Sequence, residues 1–219
     1  MSKSGQGDLA ADRAKALALT PVSRETEARL DTFVDLLLRW QKMTNLISPA
    51  TIPQLWTRHV ADSLQLIDLA PAAKVWIDFG SGGGFPGIPV ACVLADRTGA
   101  QVHLVESNGK KAAFLREAVR ATRVPAVVHQ KRIEDCGDSF GDKADVVSAR
   151  ALAPLKTLCD QAFPLIRRGA VGLFPKGQDV AAELTEAAKY WRVRARTVPS
   201  RTSPEGCIVV VTRLERLKS

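Results

Sequence analysis

A glycine-rich segment near the middle of the chain has the residue types of a ligand-binding turn. Residues 78–84 read DFGSGGG after a short apolar run, and a helical stretch is predicted after FPG at 85–87. Glycines let the backbone approach a ligand closely, and the N-terminus of the following helix offers free amide donors to a carboxylate or phosphate. This context of strand, tight turn and helix predicts a binding site, with a plain turn as the alternative.

One acidic residue strengthens the interpretation as a binding site. Glu106 ends the next predicted strand, at residues 101–106. In doubly wound sheets an acid at this place binds a ribose, because one carboxylate can accept both protons of the diol. The glycine segment and Glu106 together predict a cofactor that contains adenosine.

The spacing of the glycines favours one cofactor of this kind. The dinucleotide fingerprint is G-x-G-x-x-G, whereas residues 78–84 have the acid-first form D-x-G-x-G-x-G. The acid-first form is typical of class I methyltransferases, which use S-adenosylmethionine, and it makes Gly80 and Gly82 the expected loop contacts. The glycines also fit the dinucleotide register, although less well. A nicotinamide-dependent oxidoreductase and a non-catalytic RNA-binding scaffold remain as alternatives.

From residue 74 onward, short β-rich runs alternate with helical stretches. This alternation predicts a mostly parallel sheet covered on both faces. The predicted strands lie near residues 74–79, 101–106, 126–130, 144–148, 170–175, 190–198 and 207–213. The predicted helices lie near residues 87–95, 108–121, 154–166 and 179–188. A proline-containing loop joins the last two strands, so we expect an α/β fold of the class I, Rossmann-like type with seven strands and an antiparallel final hairpin.

Two amphipathic helices are predicted before the sheet. The first covers residues 21–42 and has its apolar stripe on the core side. The second begins near Thr51 with Pro53 in its first turn, and its buried stripe is Ile52, Trp56, Val60, Leu64 and Ile67. We expect residues 1–10 to be a mobile start. Residues 1–72 are therefore predicted to be a helical extension packed on a methyltransferase domain at 73–219.

The charge balance and the cysteines limit the classes of protein to which this chain can belong. The formal net charge is +8, which favours approach to a polyanion such as nucleic acid, although a generic basic surface is the commoner cause. The cysteines are widely spaced and no histidine is placed to complete a zinc site, so we expect reduced structural thiols and no metal. No signal core and no apolar run of about 18 residues is present, which predicts a cytoplasmic protein without a membrane partner.

A series of short motifs follows in order from residue 39 to residue 177. They are Trp40 with Asn45-Leu46, RHVADS at 58–63, the segment 78–89 ending in FPGIP, E-S-x-x-K-K at 106–111, RIE at 132–134, SARA at 148–151 and KG at 176–177. This series resembles the glucose-inhibited division protein B family, which methylates guanine N7 in 16S ribosomal RNA. The resemblance implies S-adenosylmethionine as methyl donor, and small-subunit ribosomal RNA or an assembling ribosomal subunit as partner.

The resemblance also implies which residues contact the methyl donor. They are Gly80, Phe85, Ile133, Glu134 and Arg150, in addition to Gly82 and Glu106 from the spacing. Without the family, Ile133 would be a core residue and Glu134 a solvated acid. Arg150 could equally be a surface cation, although its place at the carboxyl edge of the sheet is where ligands bind. Ser81 stands where threonine is common and Glu106 where aspartate is common, and both substitutions keep the chemistry.

The expected acceptor requires little chemical assistance. Guanine N7 carries a lone pair and no proton, so we expect no catalytic base or nucleophile, and catalysis by alignment and electrostatics. Arg58, His59, Asp62 and Ser63 share one face of the second predicted helix, with Arg58 placed to pair with Asp62. That face is either an ion pair with a satisfied histidine or a wall of the acceptor pocket. The family pattern favours the pocket, with Arg58 and His59 contacting RNA phosphate or the target base.

Three basic clusters are candidate contacts to RNA phosphate. They are Lys110, Lys111, Arg116 and Arg120; Arg167 and Arg168; and Arg192, Arg194 and Arg196. The last cluster lies on a predicted strand, where alternate residues share one face. A solvated surface is the alternative for each, and the sequence does not favour one of the three. No extra apolar helix demands a dimer, so we expect a monomer.

Overall fold

A single sheet forms the centre of the molecule in the computed structural model, which describes residues 3–136, 140 and 144–217. Its strands are β1 Val75–Phe79, β2 Gln101–Val105, β3 Ala126–His129, β4 Val146–Ala149, β5 Val171–Lys176, β6 Trp191–Pro199 and β7 Cys207–Arg216. The order across the seven-stranded sheet is β3-β2-β1-β4-β5-β7-β6. β1 to β5 pair in parallel, whereas β7 is antiparallel to β5 and to β6. The predicted fold class and its final hairpin are confirmed.

The helices cover the sheet and precede it. They are α1 Lys3–Leu19, α2 Arg24–Trp40, α3 Asp62–Leu64, α4 Gly87–Leu94, α5 Gly109–Thr122, α6 Leu155–Ile166 and α7 Val180–Ala187. The start of α2 is capped by Ser23, whose hydroxyl accepts from the amide of Thr26, as helix N-termini require. The four helices predicted between strands are confirmed. Within the described part of the chain, no helix is long and apolar enough to cross a membrane.

The expectation of a mobile start is wrong from residue 3 onward, because α1 begins there; residues 1 and 2 lie outside the described residues. Leu9 packs against the main core cluster. The Asp12 carboxylate accepts the amides of Trp56 and Thr57, at 2.8 and 3.2 Å, and the Thr57 hydroxyl. These long-range contacts outweigh the polar local composition from which the mobile start was predicted.

The predicted second helix is divided into shorter pieces. A 3₁₀ turn at Pro49–Gln54 leads into a π-helix at Trp56–Ala61, then into α3 and a 3₁₀ turn at Ile67–Leu69. Pro53 lacks an amide hydrogen, and Asp12 satisfies the first amides of the π-helix, so a new helical segment can begin there. Trp56, Val60 and Leu64 of the predicted stripe are buried.

Side chains are buried on both faces of the sheet. Trp76 of β1 belongs to the cluster that includes Phe33 of α2 and Phe114 of α5. The next residue, Ile77, points to the other face and joins the cluster that includes Leu158 of α6. The helices before β1 therefore share a core with the sheet face covered by α4 and α5, while the boundary at residues 72 and 73 stays a prediction.

Replacing Asp12 by alanine tests the anchoring of α1. The change leaves two amides at the start of the π-helix without their acceptor, so the free energy of unfolding should fall by about 1–3 kcal/mol. Urea unfolding followed by circular dichroism measures it. Asp8→Ala on the same helix is the matched control, because Asp8 is exposed. Equal losses in the two variants would show that Asp12 does not anchor α1.

Candidate active site

The glycine segment forms a tight turn between β1 and α4. Gly80, Gly82 and Gly84 have φ of 64°, 51° and 91°, in the left-handed region that favours glycine. At Gly83 an added Cβ would lie 2.8 Å from the carbonyl oxygen of Leu46. The turn therefore requires glycine for its backbone conformation and for its close approach to the helical extension.

The Asp78 carboxylate fixes the base of this turn. It is fully buried and accepts the Ser148 hydroxyl at 2.8 Å and the Gly87 amide at 3.2 Å. Ser148 in turn accepts the indole N–H of Trp76 at 2.8 Å. Burial raises the pKa of Asp78 to about 6, against the opposing effect of the hydrogen bonds from Ser148 and Gly87. This acid supports the loop and does not face a ligand.

Glu106, directly after β2, holds the opposite side of the turn. Its two carboxylate oxygens accept the amides of Gly82 at 2.9 Å and Asn108 at 2.7 Å. A carboxylate has about four lone-pair directions, so two remain for the hydroxyls of a ribose. The two backbone hydrogen bonds hold the carboxylate in place and leave part of its hydrogen-bonding capacity for a ligand.

A cavity of about 360 Å³ opens beside the turn. It brings together five of the predicted cofactor contacts, Gly80, Gly82, Glu106, Ile133 and Glu134. Glu134 accepts a hydrogen bond from the Gln161 side chain at 2.8 Å, and its pKa is lowered by its own backbone amide and by Gln161. We refer to this space as the donor cavity; its size is in the range of small-molecule sites.

Phe85 and Arg150, the other two predicted contacts, lie outside the lining of the donor cavity. Phe85 is 4% exposed and packs on Phe33 and His59, with ring centroids 5.2 and 5.0 Å apart. The Arg150 guanidinium lies 5.3 Å from the centre of the Phe85 ring. Phe85 is thus a buried platform for a cation, a role that the sequence analysis did not anticipate.

Arg150 joins the end of β4 to the helical extension. Its guanidinium donates to the carbonyl oxygen of Arg58 at 3.0 Å, to Asp62 at 3.4 Å and to Nδ1 of His59. The other His59 nitrogen, Nε2, lies 2.8 Å from the Thr51 hydroxyl. Burial and the charges of Arg150 and Arg58 lower the pKa of His59 to about 3. His59 is therefore a neutral acceptor for Arg150.

The predicted pairing of Arg58 with Asp62 is wrong. Asp62 pairs with Arg150 and also accepts the Thr202 hydroxyl at 2.8 Å and the Gln65 amide at 2.8 Å. The prediction assumed α-helical spacing, and the π-helix ending at Ala61 changes which side chains are neighbours. Arg58 itself is exposed, and its side chain is available to a ligand.

A second cavity, of about 670 Å³, adjoins this network, and we call it the acceptor cavity. Arg58, Asp62 and Arg150 line it from one side, and the loop between β6 and β7 lines it through Ser200 and Thr202. The contribution of this loop was not predicted, because no local feature of the sequence marks Ser200 or Thr202 as neighbours of Asp62.

Ala151 and Leu152 line both cavities. Ala151 has a positive φ of 51°, and the Leu152 side chain covers Gly80 so closely that an added Cβ there would lie 2.6 Å from Leu152 Cδ1. Leu152 is nevertheless 37% exposed. These two residues form the shared wall between the donor and acceptor cavities.

Lys176 braces the segment that carries the shared wall. Its ammonium donates to the carbonyl oxygen of Ala153 and to Glu183, both at 2.7 Å. Glu183 also accepts the amide of Leu155 at 2.6 Å. The KG motif at 176–177 was the only signal in the sequence for this brace.

Over residues 3–136, 140 and 144–217, the geometry gives neither a metal site nor a reactive thiol. In the part of the chain that the structure describes, no group of three His, Cys, Asp or Glu could hold a metal ion. All four cysteines are free, and burial raises the pKa of Cys92 and Cys159 to about 12. These thiols are packing groups.

Comparison with known proteins identifies the family. Residues 26–205 match the GidB family, described as rRNA small subunit methyltransferase G. The chain belongs to this family. A ribosomal RNA small subunit methyltransferase G of Bradyrhizobium sp. (strain BTAi1 / ATCC BAA-1182) is 60% identical over 208 residues, covering 95% of this chain and 94% of that protein. Another, of Nitrobacter hamburgensis, is 62% identical over 207 residues, covering 94% and 80%.

Two solved structures with the same fold are an O-methyltransferase and a putative O-methyltransferase. A putative O-methyltransferase from Klebsiella pneumoniae has a TM-score of 0.57 at 13% identity, covering 95% of this chain and 98% of that one. The O-methyltransferase from Bacillus cereus in complex with SAH has a TM-score of 0.59 at 16% identity, covering 95% and 100%. At such identities the likeness shows the fold alone, and the GidB family match confirms the resemblance predicted from the motifs.

The low pKa of His59 predicts acid sensitivity. As pH falls below 6.5 the unfolded chain protonates this histidine, whereas the folded chain does so only near pH 3. The free energy of unfolding is therefore highest at neutral pH, as far as His59 is concerned, and it falls as the pH is lowered. His59→Gln should reduce the loss of unfolding free energy between pH 7 and pH 5 by about 2 kcal/mol. Urea titrations at the two pH values measure it, and the same loss in variant and wild type would contradict the assignment.

Proposed function

We propose that this protein transfers a methyl group from S-adenosylmethionine to N7 of a guanine in small-subunit ribosomal RNA. The observation that carries the proposal is the shared wall, because two adjoining cavities that both have Ala151 and Leu152 in their linings suit transfer of a small group between two ligands. Family membership supports ribosomal RNA as the acceptor.

The donor cavity fits S-adenosylmethionine. Glu106 has free lone pairs where a ribose is expected, and the glycine turn exposes backbone to a ligand that approaches closely. We propose that Ile133 and Glu134 contact the adenine and that Gly80 and Gly82 border the methionine part. When bound, the cofactor supplies an electrophilic methyl group on a sulfonium.

The side chains of the acceptor cavity align the base, and none is needed to remove a proton. Guanine N7 already presents a lone pair, so alignment and local charge are sufficient. Exposed Arg58 suits a phosphate or base contact. We propose that His59 acts through Arg150, since both of its ring nitrogens have partners inside the protein. Phe85, whose ring supports the Arg150 guanidinium, also acts through Arg150.

We propose a monomer that acts in the cytoplasm, with residues 1–72 as the helical extension and 73–219 as the methyltransferase domain. Arg150 was expected to contact the methyl donor; it lines the acceptor cavity directly before the shared wall, and we propose that it contacts a ligand from that side.

Methyl transfer from labelled S-adenosylmethionine tests the function directly. The acceptors are purified ribosomal RNA and intact small subunits, and borohydride and aniline cleavage locates N7-methylguanosine. A strain without the protein should lack one cleavage site. An unchanged cleavage pattern, or RNA binding that never leads to methyl transfer, would refute the proposed reaction. Calorimetry with NADH in place of S-adenosylmethionine should show no binding.

Glu106→Ala tests the proposed ribose contact. Loss of a charged hydrogen-bonding partner should weaken S-adenosylmethionine binding by about 10–100-fold, measured by calorimetry. Because Glu106 also holds the glycine turn, Glu106→Gln is measured in parallel; it keeps one acceptor oxygen and should fall between wild type and Glu106→Ala. Glu186→Ala, a change of the same size on exposed α7, serves as control. Unchanged affinity in folded Glu106→Ala would refute the ribose role.

A further inference from the structure

The edge strand β6 carries arginines on a single face of the sheet. Arg192, Arg194 and Arg196 alternate with residues that point the other way, such as Val193, which packs in the α6 cluster. All three arginines are exposed. Opposite them on β7 lie Glu215, Arg213 and Val210 in the same order.

A bulge preserves this one-sided arrangement. Arg194 is paired with Arg213 and Ala195 with Val211, so Thr212 of β7 is the extra residue. Such an insertion on one strand leaves the alternation of its partner intact. β6 therefore keeps its arginines together while β7 changes register.

The positive charges of this surface are only partly compensated. Glu215 is the acid that both Arg192 and Arg213 contact, at 3.2 and 2.7 Å. Arg194 directly faces Arg213, and like charges at opposed positions destabilise a sheet. Among the described residues, the guanidinium groups of Arg194 and Arg196 make no ion pair or hydrogen bond. The stability of the fold does not explain why Arg194 and Arg213 are placed opposite each other.

The same face leads to the acceptor cavity. Val198, two residues after Arg196, packs in the core cluster that includes the helical extension. Ser200 lines the cavity, and Arg201 pairs with Asp68 of the extension at 2.7 Å. At about 3.3 Å per residue, Arg196 lies about 13 Å and Arg192 about 26 Å from Ser200 along the strand. The arginines therefore form a line that ends at the cavity mouth.

We propose that Arg192, Arg194, Arg196 and Arg213, the arginine face, bind the phosphate backbone of the RNA and lead the target nucleotide into the acceptor cavity. This rests on the proposed function, since it takes RNA as the substrate. Their spacing of about 6.6 Å between alternate residues suits successive contacts along one strand. The face carries no aromatic side chain to stack on a base, so it positions the RNA and the cavity selects the guanine.

The double variant Arg194→Ala/Arg196→Ala tests the arginine face, because neither side chain has a partner whose loss would disturb the fold. The matched control is Arg24→Ala/Arg39→Ala, which removes two exposed arginines from α2. Binding of a fluorescent small-subunit ribosomal RNA transcript is measured by anisotropy from 50 to 300 mM KCl. Methyl transfer to the same transcript gives KM and kcat, and calorimetry gives the affinity for S-adenosylmethionine.

The arginine-face variant should bind the transcript about tenfold more weakly near 150 mM salt, with a salt slope smaller by about 1.4, and KM should rise accordingly. Its kcat and its affinity for S-adenosylmethionine should match those of the wild type, and the control should retain full RNA affinity. Unchanged RNA affinity and slope, or an equal loss in the control, would overturn the arginine face. A wild type without methyl transfer would instead refute the proposed function.

Discussion

The structure of the site depends on the buried carboxylate of Asp78. Removing a carboxylate from water is costly unless donors surround it, and here each donor comes from a different element: Ser148 from β4 and Gly87 from α4. Asp78 itself is the penultimate residue of β1, so one side chain ties together two neighbouring strands and the helix that follows the glycine turn. The backbone conformations of Gly80 to Gly84 are possible because both ends of the turn are held in this way.

Arg150 provides the corresponding constraint on the acceptor side. It directly follows the last residue of β4, two positions after Ser148, and it reaches the helical extension through the Arg58 carbonyl, His59 and Asp62. Phe85 supports its guanidinium from the glycine turn. The extension therefore forms one wall of the acceptor cavity. Its position depends on the charged side chain of Arg150, which can lie against His59 because His59 is neutral.

The sequence predicted the parts of this molecule that depend on local pattern. Strand and helix periodicity gave the sheet, the final hairpin and the four helices after β1, and the acid-first glycine spacing with Glu106 located the donor cavity. Contacts between distant segments were not predictable. Asp12 anchors α1 and accepts the first amides of the π-helix, where the predicted second helix is divided. No local feature of residues 1–10 or 51–67 indicates these contacts. Phe85 and His59 were predicted as ligand contacts from the family resemblance, whereas in the structure both contact Arg150, which is far away in sequence.

The shared wall has a thermodynamic consequence. If a ligand in the donor cavity displaces Leu152, it changes a surface that the RNA also meets, so the two binding free energies are coupled. Linkage requires the coupling to be reciprocal: whatever factor the cofactor applies to RNA affinity, RNA applies to cofactor affinity. Under the proposed function the cofactor loses its methyl group in the reaction, so Leu152 would then link the affinity for RNA to the state of the cofactor.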